Sequence, residues 1–200
     1  MQQENLGRRS NRERTEATRG ALISAARELF VEKSYAETGT PEIVTAAGVT
    51  RGALYHHFAD KQALLRAVVE AESQAVAEEI ERDAPETMTP RDALLKGGEA
   101  FLHAMSVPGR TRLLLLDGPA VLGRAEMDEI DARYGGRTLK QGLGFAIEAG
   151  DLPNLPLDAL AAQLGAMFDR AALAIEAGAP ADEHLKVLEA VIGGLFARPR

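Results

Sequence analysis

The chain has no cysteine. That excludes a disulfide framework, a thiolate metal site and a cysteine nucleophile, and it fits a reducing compartment. No apolar run is long enough to span a bilayer. The opening Met1-Gln2-Gln3-Glu4-Asn5-Leu6-Gly7-Arg8-Arg9 lacks the apolar stretch of a signal peptide. The expectation is a cytoplasmic protein with no membrane partner. There is no strand-like alternation of useful length and no internal repeat. There is also no phosphate loop and no acid–base constellation at useful spacing, so neither an enzyme nor a cofactor is expected.

Positive charge is not in excess either. The net charge is −7, which by itself argues against a nucleic-acid partner. Its distribution reverses that argument. Residues 1–61 carry nine Lys/Arg against eight Asp/Glu, and residues 62–200 carry 14 against 22. A near-neutral head can keep a local basic face, while an acidic body limits non-specific adhesion to DNA.

What is present is helical periodicity. The 200 residues are 46% hydrophobic, enough for one large domain or two small ones with a real core. The pattern predicts an all-α chain of about nine helices. A three-helix domain spans about 12–60 and a second helical domain spans 61–200. Residues 1–11 are polar and are expected to be disordered. A first helix is expected from Thr15 to Lys33, with Leu22, Ile23, Ala26, Leu29 and Phe30 at helical spacing. A long helix follows Asp60 to about Arg82. A linker covers Pro85 to Pro90, with Thr89 capping the next helix, which runs to about Met105. Arg110–Leu116 is helical, Pro119–Leu122 is a separate turn, and 124–149 is one long helix kinked at Gly135-Gly136. Two final helices cover about 157–177 and 181–197.

The most informative stretch is about 39–58, which reads as helix, tight turn, helix. Thr40 is placed to cap the first of these helices and Pro41 to open it. Gly48 stands where the turn needs the left-handed conformation. Thr50 caps the second helix. Leu54 and Phe58, four residues apart, anchor it to a core. Its other face carries Arg51, Gly52, Tyr55 and His56, with Ala53 beside them. Small residues allow close approach to a major groove, and the polar ones supply donors for phosphates and base edges. Arg51, at the start of the helix, is the expected base reader. His56 faces the groove, and Lys61 opens the following helix where a phosphate could sit. The adjacent histidines His56 and His57 do not make a metal site, because neighbouring helical side chains diverge by about 100°.

The segment Ala46-Ala47-Gly48-Val49-Thr50-Arg51-Gly52-Ala53-Leu54-Tyr55-His56-His57-Phe58, followed by Asp60-Lys61, resembles the DNA-binding domain of TetR-family transcriptional regulators. So does the preceding Ala25-Ala26-Arg27-Glu28-Leu29-Phe30. The resemblance covers about residues 15–75. It implies phosphate contacts from Tyr55 and His57, and from the hydroxyls of Thr38 and Thr40. Ser34 and Gly39 depart from the usual pattern, where glycine and Thr or Ser respectively are common. The arginines Arg8, Arg9, Arg12, Arg14 and Arg19 are open to two readings, a minor-groove arm or a solvated tail.

In the second domain, Leu113-Leu114-Leu115-Leu116 marks a buried element. Phe101, His103, Met105, Leu116, Met127, Phe145, Met167 and Phe168 are the candidate lining of an effector pocket, with plain core packing as the alternative. The last two helices carry apolar stripes rich in alanine and glycine. The resemblance implies that they form a four-helix homodimer interface through about 157–197. The expected function is a homodimeric, ligand-responsive repressor on a pseudopalindromic double-stranded operator. The alternative is a DNA-binding dimer whose second domain serves only dimerisation or protein contact.

Overall fold

The structure is a computed structural model describing residues 2–83 and 88–196, with side chains from residue 11 onward. Every regular element among the described residues is a helix. The chain divides into two compact units, Met1–Glu70 and Ala71–Arg200.

The first unit contains α1 (Gln2–Lys33), α2 (Thr40–Ala46), α3 (Arg51–His57) and the start of α4 (Lys61–Asp83). α1 begins at Gln2, ahead of Thr15 and inside the 1–11 stretch that was expected to be disordered. Residues 11–16 include two arginines and two glutamates, good helix formers with no breaker among them. Leu22, Ala26 and Phe30 recur every four residues on α1 and are fully buried, as are Ile43, Leu54, Leu64 and Leu65. The N-cap of α2 is Gly39 and not Thr40, so Pro41 lies at the second helical position. The Glu42 carboxylate accepts from the N–H of the cap residue Gly39 at 3.4 Å and pairs with Lys33 at 3.0 Å, while the Glu42 N–H donates to Gly39 O at 3.2 Å. Gly48 has φ +65° and makes the turn between α2 and α3.

Ser34 ends α1 at φ 87°, the left-handed region that L-residues other than glycine pay to enter. Its Oγ accepts a long 3.4 Å bond from the Glu37 N–H, a small return. Ser34→Gly is expected to stabilise the first unit by about 0.5–1 kcal/mol, the steric relief exceeding glycine's extra chain entropy. Equilibrium urea unfolding checks this, and a lowered midpoint would mean that the hydroxyl outweighs the strain.

The second unit continues α4 and adds α5 (Pro90–Met105). Helix α6 combines Arg110–Arg112, a π-turn at Leu113–Asp117, and Gly118–Leu122. Then come α7 (Arg124–Arg133), α8 (Gly135–Glu148), α9 (Leu157–Glu176) and α10 (Ala181–Phe196). So counted, the described residues hold ten helices where about nine were expected. Two local features differ from expectation, and the second of them accounts for the extra helix. Pro119–Leu122 is not a separate turn. Pro119 offers no N–H to the Leu115 carbonyl, and the Gly118 N–H reaches five residues back to Leu113 O, so the helix continues through a wide turn. A Cβ on Gly118 would lie 2.9 Å from that same carbonyl oxygen, so the turn depends on glycine. The expected single helix over 124–149 is broken at Tyr134 (φ −123°, ψ −106°), just before Gly135. The linker expected from Pro85 lies outside the described residues up to residue 87. Beyond it, the Thr89 hydroxyl caps α5 by accepting from Asp92 N–H at 3.2 Å.

A buried charged cluster ties the second unit together. Arg110 is 6% exposed. Its Nε donates to Glu72 at 2.9 Å, and Nη1 donates to Glu79 at 3.0 Å and to Ala104 O at 2.7 Å. Glu72 and Glu79 are seven residues apart on α4, two turns along one face.

Candidate nucleic-acid interface and effector cavity

Helix α3 is anchored from below. Leu54 is fully buried and Phe58 is 5% exposed. The Thr50 hydroxyl accepts from Ala53 N–H at 3.2 Å and fixes the start of the helix. With that face fixed, Arg51, Gly52, Tyr55 and His56 are exposed, and Ala53 and His57 are half-buried. The Arg51 guanidinium lies 5.5 Å from the centre of the Tyr55 ring. The Thr40 hydroxyl and the Arg51 guanidinium hold the Tyr55 phenol below its ordinary pKa. Thr40, Arg51 and Tyr55 therefore form one contiguous donor-rich group. The His57 ring sits edge-on to His56 at 5.4 Å, and among the described residues no group of three or more potential ligands could hold a metal.

Two expected DNA contacts take structural roles. Thr38 is 1% exposed, and its hydroxyl donates to Ser34 O at 2.7 Å, so it cannot meet a phosphate. Lys61 is half-buried; its Nζ donates to Tyr35 O at 2.9 Å and Thr38 O at 3.0 Å and lies 4.2 Å from the Tyr35 ring centre. Two of its three donors are spent on the turn that Ser34 begins, so it braces the α1–α2 connection. Of the arm arginines, Arg19 lies 5.4 Å from the Phe58 ring centre, and the side chains of Arg8 and Arg9 lie outside the described residues.

The second unit holds a cavity of about 1480 Å³. Five expected residues line it: Phe101, Met105, Met127, Phe145 and Phe168. Phe101 and Phe168 meet edge to face at 5.8 Å. Gly98 makes room for them, since a Cβ there would lie 2.7 Å from Phe168. Three expected residues are elsewhere. His103 is exposed, two residues from Phe101 and so about 200° round α5. Leu116 is 50% exposed, because the π-turn rotates the leucine run after Leu113 and Leu114. Met167, one residue from Phe168, lines a groove formed by α9 and α10.

The cavity also has polar lining that the apolar pattern could not reveal. Arg124, Arg137 and Lys140 line it, and each pairs with an acid: Asp128 at 3.2 Å, Glu81 at 2.7 Å and Asp158 at 2.5 Å. Asp131 and Asp169 also line it. Desolvation pushes the Asp169 carboxyl up to about 6, the charge of Asp131 adds to the rise, and Arg124 opposes it. Asp131 is raised by desolvation, partly offset by the Gly136 N–H that donates to it at 3.0 Å.

Residues 22–68 match the model for bacterial regulatory proteins of the tetR family, and residues 91–197 match the tetracyclin repressor-like C-terminal domain. The crystal structure of a TetR-family transcriptional regulator from Pectobacterium atrosepticum is 30% identical, with a TM-score of 0.74, covering 94% of this chain and 99% of that one. Among curated proteins, the transcriptional activator FasR of Mycolicibacterium smegmatis is 35% identical over 94 residues, 47% of this chain. The A-factor receptor protein of Streptomyces griseus is 33% identical over 85 residues, 42% of this chain. These matches span 43% and 29% of the lengths of the two curated relatives. With family models matched in both units, the chain belongs to the TetR family of bacterial regulatory proteins.

Proposed function

We propose that the protein is a homodimeric transcriptional repressor, released from a pseudopalindromic operator by a small molecule held in the second unit. The observation that carries this is α3. One face of it is locked into a core by Leu54 and Phe58, and the opposite face presents Arg51, Tyr55 and His56 with the neighbouring Thr40. Two such helices, one per subunit, enter successive major grooves. Arg51 reads a base; Thr40, Tyr55 and His57 hold phosphates; Gly52 and Ala53 permit the approach. The 1480 Å³ cavity supports an effector over a second domain that serves dimerisation alone. Release requires that the effector bind the DNA-incompetent arrangement more tightly, since equal affinity shifts nothing. Helix α4 is the covalent route from cavity to head.

Footprinting of the gene's own upstream region identifies the operator. Binding of Arg51→Ala to a panel of single-base operator variants at two salt concentrations then tests the head. The variant is expected to lose about 1–3 kcal/mol at one base pair and to relax preference there. A uniform loss across the panel makes Arg51 a phosphate clamp and passes base reading to His56, Ala53 or DNA shape. No change with Arg51→Ala and Tyr55→Ala alike removes α3 from the interface.

A further inference from the structure

The charges lining the cavity do not balance. Its three cations, Arg124, Arg137 and Lys140, each already pair with an acid. Their side chains remain 77%, 46% and 51% exposed, as expected of groups at a mouth. Two further acids remain, Asp131 and Asp169, and among the described residues neither has a cation at pairing distance. Asp131 keeps one partner, the Gly136 N–H at the start of α8, and Gly136 suits this because a Cβ there would strike the carboxylate. Asp169 is half-buried on the face of α9 that also carries Gly165 and Phe168 into the cavity. A carboxylate set into an apolar site without a partner is a cost to the fold. Asp131, an exposed residue at the cavity's edge, adds its charge to that cost. Aromatic rings line the same cavity: Phe168 is buried, Phe101 half-buried, and Phe145, 66% exposed, stands where the cavity opens to solvent. Ring faces attract cations, most strongly where water is excluded. Among the described residues no third acid, histidine or cysteine groups with them to hold a metal ion, and hard divalent ions need more oxygen ligands than two side chains give.

We infer that the cavity is a site for an apolar organic cation, an amine or quaternary ammonium or phosphonium, its charge held by Asp131 and Asp169 and its rings or chains laid against Phe101, Phe145 and Phe168. The inference deepens the effector reading and rests on it only for the consequence at the operator. An anionic or fatty ligand is disfavoured by the same arrangement, since every lining cation is already taken and the two unpaired charges are negative.

The probes are tetraphenylphosphonium, tetraphenylborate and triphenylphosphine oxide: cation, anion and neutral molecule of similar bulk, none of which titrates across the range used. Each is titrated calorimetrically into the full-length protein at pH 7 and pH 5. The phosphonium is expected to bind at least about tenfold tighter than the other two at pH 7. Its affinity is expected to fall about tenfold at pH 5, because Asp169 titrates at about 6 and takes up its proton over that interval. Asp131 shifts in the same direction, Arg124 stays charged throughout, and no histidine lines the cavity. Asp169→Asn is expected to remove the preference for the cation while leaving the phosphine oxide affinity unchanged. It is also expected to raise the melting temperature of the ligand-free protein most at pH 8, less at pH 5, and not below the carboxyl's ordinary pKa of about 3.9. The sign follows from the raised pKa: the folded protein binds the proton more tightly than the unfolded chain, so the fold loses stability as pH rises from the unfolded chain's value to about 6 and has lost it in full above that. Asp131→Asn, whose amide oxygen still accepts from Gly136 N–H, provides the second variant should Asp169→Asn misfold. Borate or oxide binding as tightly as phosphonium, or a preference that survives both substitutions, overturns the inference. Operator release is measured separately. Phosphonium binding without release keeps the site and removes the effector reading. Release by borate or oxide with no phosphonium binding keeps the effector reading and removes the inference.

Discussion

Arg110→Ala is expected to lower the unfolding free energy of the second unit by about 3–5 kcal/mol, the cost of breaking a buried ion pair by removing one member. The guanidinium bonds Glu72, Glu79 and the Ala104 carbonyl at once. Glu72 is 8% exposed, so water cannot replace the lost donor in full. Arg110→Met restores much of the volume but none of the charge and is expected to remain strongly destabilised. Adding Glu72→Met to Arg110→Met removes the better-buried acid and is expected to recover a large part of the loss, since whole buried networks exchange for apolar residues at little net cost. Urea unfolding followed by circular dichroism checks the series. A loss below about 1 kcal/mol for Arg110→Ala would show that the cluster opens to solvent and behaves like a surface pair. The bonds from Glu72 and Glu79 to one guanidinium also fix the register of α4 against α5 and α6, the property needed in a helix that carries a signal.

The head was legible because its signals are local. Thr50, Gly48, Leu54 and Phe58 lie within eleven residues, and each acts through the backbone or through a neighbour on the same helix. The faults there have one source. Thr38 and Lys61 were assigned by position in a pattern, and position does not say which way a side chain turns. The left-handed Ser34 redirects the chain so that the Ser34, Tyr35 and Thr38 carbonyls need donors, and Thr38 and Lys61 supply them. Gly39 as the cap of α2 was hidden because the compensating group, Glu42, sits three residues away.

The second unit was legible as helices and stripes but not as a cavity. Hydrophobic periodicity finds which residues leave water, and a cavity wall and a packed core look alike by that measure. Its acids were missed because the candidates were chosen around the apolar positions, with His103 the one polar residue among them. Helical spacing held the signal all the same, since Asp169 is four residues beyond Gly165, on the same side of α9. The outward turn of Leu116 followed from Gly118-Pro119, a pair read as a helix break when it is the cause of a π-turn. No spacing rule marks Tyr134, whose backbone angles break 124–149 into two helices.

The double variant Val187→Asp/Val191→Asp is expected to convert a dimer into a folded monomer. Val187 is 59% exposed and Val191 37% exposed on α10, and Gly194 continues the same face. Beside them runs a groove of about 300 Å³ whose walls include Met167, Ala166, Arg170 and His184. Apolar residues at this spacing on an outward helix face, next to small ones, suit a second copy of the same two helices. In a two-fold interface each substitution occurs twice, so four carboxylates would be buried without cations. Even partial burial is expected to cost more than about 4 kcal/mol, or about a thousandfold in the dimer dissociation constant. The subunit itself loses little at Val187, which is 59% exposed, and somewhat more at Val191, which is 37% exposed, so its melting curve is expected to stay cooperative and only modestly lowered after dilution to monomer. Operator affinity is expected to collapse in step, since one head then engages one half-site. Val187→Ala, which shortens the face without charging it, is expected to stay dimeric at micromolar concentration. Sedimentation equilibrium decides the matter. A parent protein that runs as a monomer at micromolar concentration, or a double variant that remains a dimer with unaltered operator affinity, would place the interface elsewhere than on α9 and α10.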